Sequence, residues 1–199
     1  GRLLVLGGGP IGCELGQAFA RLGVAVTLVE AGDRLLARED DEVSAAVAAG
    51  LVADGVQLLL GHAAERFSAE GGARCLHATV QGRPVQLPFD TLLVATGRSA
   101  RLAGYGLEAL GLATGRTVDV DGYLRTAIPT IWAAGDVAGP WQFTHAAAHQ
   151  AWHAAVNALF SPFKAFRVDT RLMPAATFTA PEVARVGLNL REATAQGVP

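Results

Sequence analysis

Three glycines near the start of the chain have the spacing that a phosphate-binding turn requires. Gly7, Gly9 and Gly12 form a GxGxxG pattern, and Glu30 ends the apolar run that follows. The first glycine allows a tight turn, the second lets a pyrophosphate approach the backbone, and the third permits close helix packing. A carboxylate at Glu30 can accept hydrogen bonds from both hydroxyls of an adenosine ribose. These residue types predict a dinucleotide site.

The elements predicted around these glycines are the ones that such a site needs. Arg2–Leu6 is predicted to be a buried strand, Pro10–Leu22 a helix, and Ala25–Val29 a second strand. Strand, glycine turn, helix and strand form a βαβ unit, whose helix start attracts phosphate charge. Pro10 and Ile11, which begin the helix, are therefore included in the predicted cofactor site. The alternative is a glycine turn used only for packing the helix against the strand.

Charged residues beyond the second strand bear on which dinucleotide is bound. A carboxylate at Glu30 repels a 2′-phosphate, so NAD is expected and NADP is disfavoured. Arg34 and Arg38 could reach a 2′-phosphate, whereas Asp33 and Glu39 beside them are typical of an exposed loop of mixed charge. We therefore expect NAD as the nicotinamide cofactor.

The next elements indicate the fold class. Asp41–Ala53 is predicted to be a helix and Val56–Leu60 a third strand. Short alternating segments over residues 63–87 predict an antiparallel β-meander, inserted before the buried strand Thr91–Ala95. The expected fold is α/β, a Rossmann-like doubly wound parallel sheet with an inserted antiparallel meander.

The second half of the chain is less regular. Thr130–Ala133 is predicted to be a short strand, Thr144–Phe160 an alanine-rich helix and Ala175–Thr179 a further strand. Val137–Phe163 contains no Asp, Glu, Lys or Arg, and a helix without charge on any face is expected to be mostly buried. We expect its cover to come from sequence outside these residues or from a second subunit.

Composition excludes several classes of protein. The 199 residues are 51% hydrophobic and 17% charged, which excludes an intrinsically disordered chain. Lys and Arg number 16 against 18 Asp and Glu, so no basic excess favours nucleic acid. Cys13 and Cys75 form neither a CxxC motif nor a disulfide framework, which fits the cytoplasm. The sequence shows no apolar run long enough to span a membrane. We expect a cytoplasmic protein that binds neither nucleic acid nor a membrane.

Several segments together resemble one family, the flavin-dependent pyridine nucleotide–disulfide oxidoreductases, which is the group of dihydrolipoyl dehydrogenase, glutathione reductase and mercuric reductase. The segments that carry the resemblance are residues 7–30 (GGGPIGCELGQAFARLGVAVTLVE), 94–98 (VATGR) and 131–139 (IWAAGDVAG). Residues 176–187 (ATFTAPEVARVG) resemble the start of the family's C-terminal dimerisation domain. Residues 35–43 and 142–148 look closest to the mercuric reductase branch.

The resemblance implies a domain organisation. Residues 1–115 would form an NAD(P)-binding Rossmann domain, residues 116–162 the C-terminal part of an FAD-binding domain, and residues 163–199 the incomplete start of an α+β dimerisation domain. The family's N-terminal FAD segment, with its CxxxxC pair, and its C-terminal His-Glu pair have no match in these residues. The chain is therefore interpreted as a fragment of a larger protein.

The resemblance also implies an activity. The intact protein would be an NAD(P)H-dependent flavin disulfide oxidoreductase that transfers hydride from NADH to FAD, and then electrons to a disulfide or metal-ion acceptor. The acceptor would be a small molecule or a metal ion, and the intact protein a homodimer. The alternative is a stand-alone NAD-binding module without catalysis. A third interpretation is an interaction protein that docks through the uncharged helix.

Some roles implied by the resemblance fall between the nicotinamide and flavin sites. Glu14 matches the family's glutamate near the contact between the two rings, and is the predicted catalytic residue. Gly97 and Arg98 match the turn that closes the nicotinamide domain against FAD. The alternatives are a helix-surface acid at Glu14 and a surface charge at Arg98.

The remaining implied roles concern FAD. Asp136, preceded by Gly135, matches the aspartate that binds the ribitol hydroxyl, and its alternative is a turn or cap residue. Thr144 and His145 begin a helix whose amides could stabilise negative charge on a reduced flavin. His145, with two further histidines at positions 149 and 153, could share one helix face, but no Cys, Asp or Glu lies beside them. No metal site is predicted.

Overall fold

The computed structural model describes residues 1–112 and 115–198, so residues 113 and 114 of the predicted loop lie outside the described part. The strands described are β1 (Arg2–Leu6), β2 (Ala25–Val29), β3 (Gln57–Leu59), β4 (His62–Glu70), β5 (Ala73–Val80), β6 (Arg83–Phe89), β7 (Thr91–Val94), β8 (Pro174–Thr177) and β9 (Val183–Val186). The α-helices are α1 (Pro10–Arg21), α2 (Asp41–Ala53), α3 (Thr144–Phe160) and α4 (Leu190–Ala195).

These elements fall into two compact units. The first unit contains residues 1–97 together with the described residues from Pro174 onward, and the second unit contains Arg98–Met173. The division of the sequence at residues 115 and 162 stays a prediction. None of the described helices combines the length and the apolar character that crossing a membrane requires.

A parallel sheet in the order β3–β2–β1–β7 forms the centre of the first unit. Its strands are apolar on both faces because both are covered. Helices α1 and α2 pack on one face, where Cys13, Val47 and Leu51 are fully buried with the sheet. On the other face, Leu76 and Phe89 of the meander join the cluster formed by the sheet. The predicted α/β class is confirmed, with the meander rather than a helix on the second face.

The meander is a three-stranded antiparallel sheet in the order β4–β5–β6. Its strands extend to His62 and Phe89, beyond the predicted residues 63–87. The rings of Phe67 and Phe89 pack edge to face with their centroids 5.9 Å apart. This contact joins the outer strands β4 and β6 across β5, so the meander has a packed face of its own.

The second unit has little regular structure besides α3 and a short 3-10 helix at Gly135–Val137. Contrary to the prediction, Thr130–Ala133 is not a strand, since only an isolated bridge between Arg125 and Trp132 forms there. The hydroxyl of Thr126 donates to the carbonyl of Ile131 at 3.0 Å. The Thr126 and Ala133 amides also donate to the Ile131 and Leu124 carbonyls, so the backbone pairs around one bridge only and is too short for a strand.

Helix α3 has the predicted bounds, and much of its surface is exposed within the described chain. Only Ala146, Gln150 and Asn157 are buried among its described residues. The side chains of Trp152 and Phe160 are 55% and 53% exposed, although this helix carries no charge. The described residues therefore cover only part of this helix. It stays a prediction that this helix is covered by sequence outside these residues or by a second subunit.

Candidate functional site

Two glycines of the turn between β1 and α1 are required by the fold itself. Gly7 has a φ of +110°, and a Cβ there would lie 2.5 Å from the carbonyl oxygen of Ala95. A Cβ on Gly12 would lie 1.9 Å from the carbonyl oxygen of Gly7. The turn thus brings α1 against the end of β1 at a distance that only glycine permits.

Gly9 differs because nothing in the described part of the chain requires a glycine there. Its φ of −76° and ψ of −179° suit any residue, and a Cβ would meet no described atom within 4 Å. Gly9 also caps α1, whose first helical bond runs from the Cys13 amide to the Gly9 carbonyl at 3.0 Å. The amides of Ile11 and Gly12 precede that bond and have no carbonyl partner inside the helix. Gly9 therefore leaves an open face beside amides that can bind an anion.

Glu30 follows β2 directly, and its carboxylate is fixed at both oxygens. Oε2 accepts the amide of Gly8 at 2.6 Å, and Oε1 accepts the amide of Gly32 at 2.7 Å. Each carboxylate oxygen keeps a further lone pair for a ligand hydroxyl. Because Gly8 belongs to the glycine turn, the predicted ribose acceptor and the predicted phosphate site adjoin each other.

The loop after Glu30 packs against the same turn. The Leu36 amide donates to the Gly8 carbonyl at 2.9 Å. The guanidinium of Arg34 bonds to the Asp41 carboxylate and to the Ala37 carbonyl, the latter at 2.9 Å. Arg34 is therefore already paired within the protein.

Cys13 lies beneath the glycine turn as a buried thiol. Its Sγ donates to the Gly8 carbonyl at 3.4 Å. Burial, helped by the negative charges of Glu14 and Glu30, raises the pKa of this thiol to about 12. The sulfur keeps its proton near neutral pH, which agrees with its interpretation as a small core residue.

Glu14 and Gln17 of α1 contact the segment that follows β8. The Phe178 amide donates to Glu14 Oε1 at 2.8 Å. The buried amide of Gln17 accepts from the Ala180 N–H at 2.7 Å and donates to the Ala180 carbonyl at 2.8 Å. It also donates to Asp54 at 2.6 Å. Sequence reasoning missed Gln17, because these partners are far away in the chain.

In the second unit the structure brings together Arg98 and Asp136, both of which were predicted from the sequence. Arg98 Nη1 lies 3.8 Å from Asp136 Oδ2, and Arg98 Nη2 donates to the Gln142 carbonyl at 2.5 Å. Both charged side chains are about half exposed, so the pair is weak and the carboxylate stays accessible. The other predicted member of this turn, Gly97, has a φ of +116°, and the boundary between the two units falls directly after it.

The turn that carries Asp136 is held by a buried amide. Gly135 has a φ of +77°, and its N–H donates to Gln150 Oε1 at 2.6 Å. Gln150 Nε2 in turn donates to the Gly139 carbonyl at 3.3 Å. Sequence reasoning missed Gln150, although an uncharged polar residue in an alanine-rich helix was a usable signal.

Thr144 and His145 are the first two residues of α3. The His145 ring stacks on the Phe143 ring, with centroids 5.2 Å apart and an interplanar angle of 11°. Phe143 is the N-cap and supplies no side-chain hydrogen bond to the first turn of the helix. In the described part of the chain, no three His, Cys, Asp or Glu side chains are grouped closely enough to hold a metal ion.

Comparison with known proteins finds relatives over almost the whole chain. Mercuric reductase from Bacillus cereus is 36% identical over 198 residues, which cover 98% of this chain and 31% of that protein. Dihydrolipoyl dehydrogenase from Pseudomonas aeruginosa is 40% identical over 198 residues, covering 99% of this chain and 41% of that protein. The chain thus spans less than half the length of these relatives.

Solved structures give the same result. The HOCl-induced flavoprotein disulfide reductase RclA from Escherichia coli, in a Cu(II) complex, superposes with a TM-score of 0.85 at 34% identity. The alignment covers 99% of this chain and 44% of RclA. Residues 1–151 match the family model described as pyridine nucleotide-disulphide oxidoreductase. The chain belongs to the pyridine nucleotide-disulphide oxidoreductase family.

Proposed function

We propose that this chain binds NADH at the Gly7–Gly12 turn and forms part of a flavoprotein that passes reducing equivalents through FAD to a disulfide or a metal ion. One observation carries the proposal. Gly9, which the fold does not require, leaves an open face at a helix start, and the fixed Glu30 carboxylate adjoins it. Relatives named mercuric reductase and dihydrolipoyl dehydrogenase support the second half of the proposal.

At this site the chain's own groups would hold the dinucleotide in two ways. The amides of Ile11 and Gly12 would donate to the pyrophosphate. The dipole of α1 would also attract the phosphate charge at the helix N-terminus, and no acidic residue in the first turn opposes this attraction. The Glu30 oxygens would accept the hydroxyls of the adenosine ribose. Pro10 lacks an N–H, so its place at the first helical position costs no phosphate donor.

The charges around Glu30 support NAD rather than NADP. A 2′-phosphate would lie against the Glu30 carboxylate, which two backbone amides hold in place. The side chain could therefore not rotate away to relieve the repulsion between the two negative charges. Arg34 is paired with Asp41 and the Ala37 carbonyl. Arg38 remains as an exposed cation in the same loop.

The second unit would contribute to an FAD site. Asp136 is accessible, and Gln150 fixes the backbone beside it by binding the Gly135 amide. The Asp136 carboxylate would accept a hydrogen bond from a ribitol hydroxyl, while the positive charge of Arg98 partly offsets its negative charge. The amides at the start of α3, near Thr144, would stabilise negative charge. Bound FAD would accept hydride from the nicotinamide and release electrons singly or in pairs.

Glu14 and Gly97 would act beside the nicotinamide ring, as the family resemblance implies. The Phe178 amide occupies one Glu14 oxygen and restrains its side chain, which would leave the other oxygen for a cation or a ring edge. Gly97, the last residue of the first segment of its unit, adopts a backbone conformation that favours glycine. We include in the proposal a homodimer, as the family resemblance implies, and a cytoplasmic location, which the absence of a disulfide framework favours.

Titration with NADH and FAD tests the proposal. The chain is titrated with NADH, and binding is followed by the nicotinamide fluorescence. NADH-dependent reduction of a dye is then measured with and without added FAD. Saturable NADH binding with FAD-dependent dye reduction is expected. Saturable binding without any flavin effect would favour the stand-alone binding module or an incomplete fragment, and no binding at all would contradict the whole proposal.

A further inference from the structure

The strand β9 and helix α4 bind the loop that follows Glu30. We define the ribose-side loop as residues 33–40. Arg185 of β9 is the main link, since its Nε lies 3.1 Å from Glu39 Oε2 and its Nη1 lies 2.8 Å from Glu192 Oε2. Only 17% of the Arg185 side chain is exposed, so water screens these ion pairs less than surface pairs. The loop is thus linked to residues about 150 positions later in the sequence.

Further hydrogen bonds attach the same loop to the start of α4. Asn189 Nδ2 donates to the Arg38 carbonyl at 2.6 Å. The Asp40 carboxylate accepts the amides of Leu190 and Arg191 at 3.0 and 3.2 Å. Asp40 is the N-cap residue of α2, yet its side chain does not cap α2. Its carboxylate is used to hold the ribose-side loop against α4.

The loop transmits this restraint to the cofactor turn and to Arg34. The Leu36 amide donates to the Gly8 carbonyl, one residue before Gly9. The Ala37 carbonyl accepts from Arg34 Nη2 and from Arg191 Nη1, both at 2.9 Å. One of the two groups that retain Arg34, the Ala37 carbonyl, is therefore itself held by α4.

We propose that Arg185, Asn189 and Arg191 are positioning residues that set the preference for NADH over NADPH, by keeping the ribose-side loop on Gly8 and Arg34 paired inside the protein. This inference rests on the proposed function, because it requires a dinucleotide at the glycine turn. Releasing the loop frees guanidinium groups to form charge-assisted hydrogen bonds with a 2′-phosphate. The preference should therefore decrease when the contacts are removed.

The test compares dissociation constants for NADH and NADPH in the wild-type chain and in Arg185→Met. We expect the ratio of the NADPH constant to the NADH constant to fall about three- to tenfold in the variant. Arg185→Lys keeps the positive charge but lacks the planar guanidinium, so its ratio should lie between those of the wild type and Arg185→Met. Arg2→Met is the matched control, because it removes an arginine–carboxylate pair, Arg2 with Asp90, from the same unit. This pair lies at the start of β1, and the glycine turn follows the other end of that strand. Its ratio should equal that of the wild type.

Hydrogen exchange at the Leu36 amide gives a second readout. This amide is expected to exchange faster in Arg185→Met and at the wild-type rate in Arg2→Met. If thermal scans show that Arg185→Met does not fold, Asn189→Ala replaces it, with the same expected directions. A ratio unchanged within twofold would overturn the inference, as would equal weakening of both nucleotides. Failure of the wild-type chain to bind either nucleotide would instead contradict the proposed function.

Discussion

The carboxylate of Glu30 accepts the amide of Gly8 at 2.6 Å, so the acid that ends β2 is bonded directly to the glycine turn after β1. The two residues lie at the carboxyl ends of adjacent parallel strands. Ligands of open α/β sheets bind at this edge. The bond leaves the carboxylate little freedom to rotate, which makes its charge a fixed property of the site.

Removing the Glu30 carboxylate should weaken NADH binding and reduce discrimination against NADPH. In Glu30→Ala the ribose hydroxyls lose a charged acceptor, which is worth about tenfold or more in affinity. The loss of negative charge should at the same time favour a 2′-phosphate. Fluorescence titration with both nucleotides measures the two effects. An unchanged preference would remove Glu30 from this role.

Substitution of Gly9 should separate nucleotide binding from folding. In Gly9→Val the Cβ would meet no atom of the described residues within 4 Å, so we expect the side chain to block the pyrophosphate while the chain still folds. We expect NADH binding to be lost and the melting temperature to stay within a few degrees of the wild-type value. Retained NADH binding in this variant would show that the phosphates lie elsewhere.

Gly12 and Gly16 of α1 should respond in opposite directions to the same substitution. A methyl group on Gly12 would lie 1.9 Å from a backbone oxygen, whereas one on Gly16 would lie at 3.7 Å or more from its neighbours. Gly12→Ala should therefore destabilise the fold by about 1–3 kcal/mol. Gly16→Ala should stabilise it by up to about 1 kcal/mol, because alanine restricts the unfolded chain and favours a helix. Urea unfolding of both variants tests this contrast.

Gln17 should matter more for stability than its exposed neighbour Arg21. Gln17→Leu leaves the N–H and carbonyl of Ala180 without their partner, at a cost of about 1–3 kcal/mol. Arg21→Ala removes only a surface ion pair to Asp54, worth less than about 1 kcal/mol. Equal losses in urea unfolding would contradict the assignment of Gln17 as the link between α1 and the segment after β8.

The two cysteines should differ in reactivity. The pKa of the buried Cys13 thiol is raised to about 12 from 9.0, so almost none of it is thiolate at pH 8. Native protein should be alkylated at the half-buried Cys75 alone, and unfolded protein at both. Because burial disfavours the thiolate, this group should leave stability unchanged below about pH 9 and lower it as the pH rises from about 9 to about 12. Rapid native labelling of Cys13 would contradict its burial.

Some of this site could be predicted because its contacts are local in the βαβ unit. Gly7 and Gly12 approach each other within one turn, and Glu30 reaches that turn from the adjacent strand. The spacing of glycines and apolar residues determines such contacts. The tight turn at Gly7 and the position of Glu30 after the second strand follow from that spacing, whereas the two amide bonds that fix the Glu30 carboxylate were not predicted.

The rest could not be predicted because it depends on residues that approach only in the folded chain. Gln17 binds Ala180, and Arg185 binds Glu39, across more than 140 positions of sequence. No periodicity indicates such pairs. The burial of α3 likewise depends on what packs against it, so the absence of charge in its sequence could not determine how much of it this chain covers.

The uncharged surface of α3 has a practical consequence. Trp152, Leu159 and Phe160 are exposed on this helix, and Phe163 is exposed just after it. Patches of this kind bind hydrophobic dyes and adhere to one another in solution. We therefore expect self-association through this surface, rather than unfolding of the sheet, to limit the concentration at which this chain can be studied on its own.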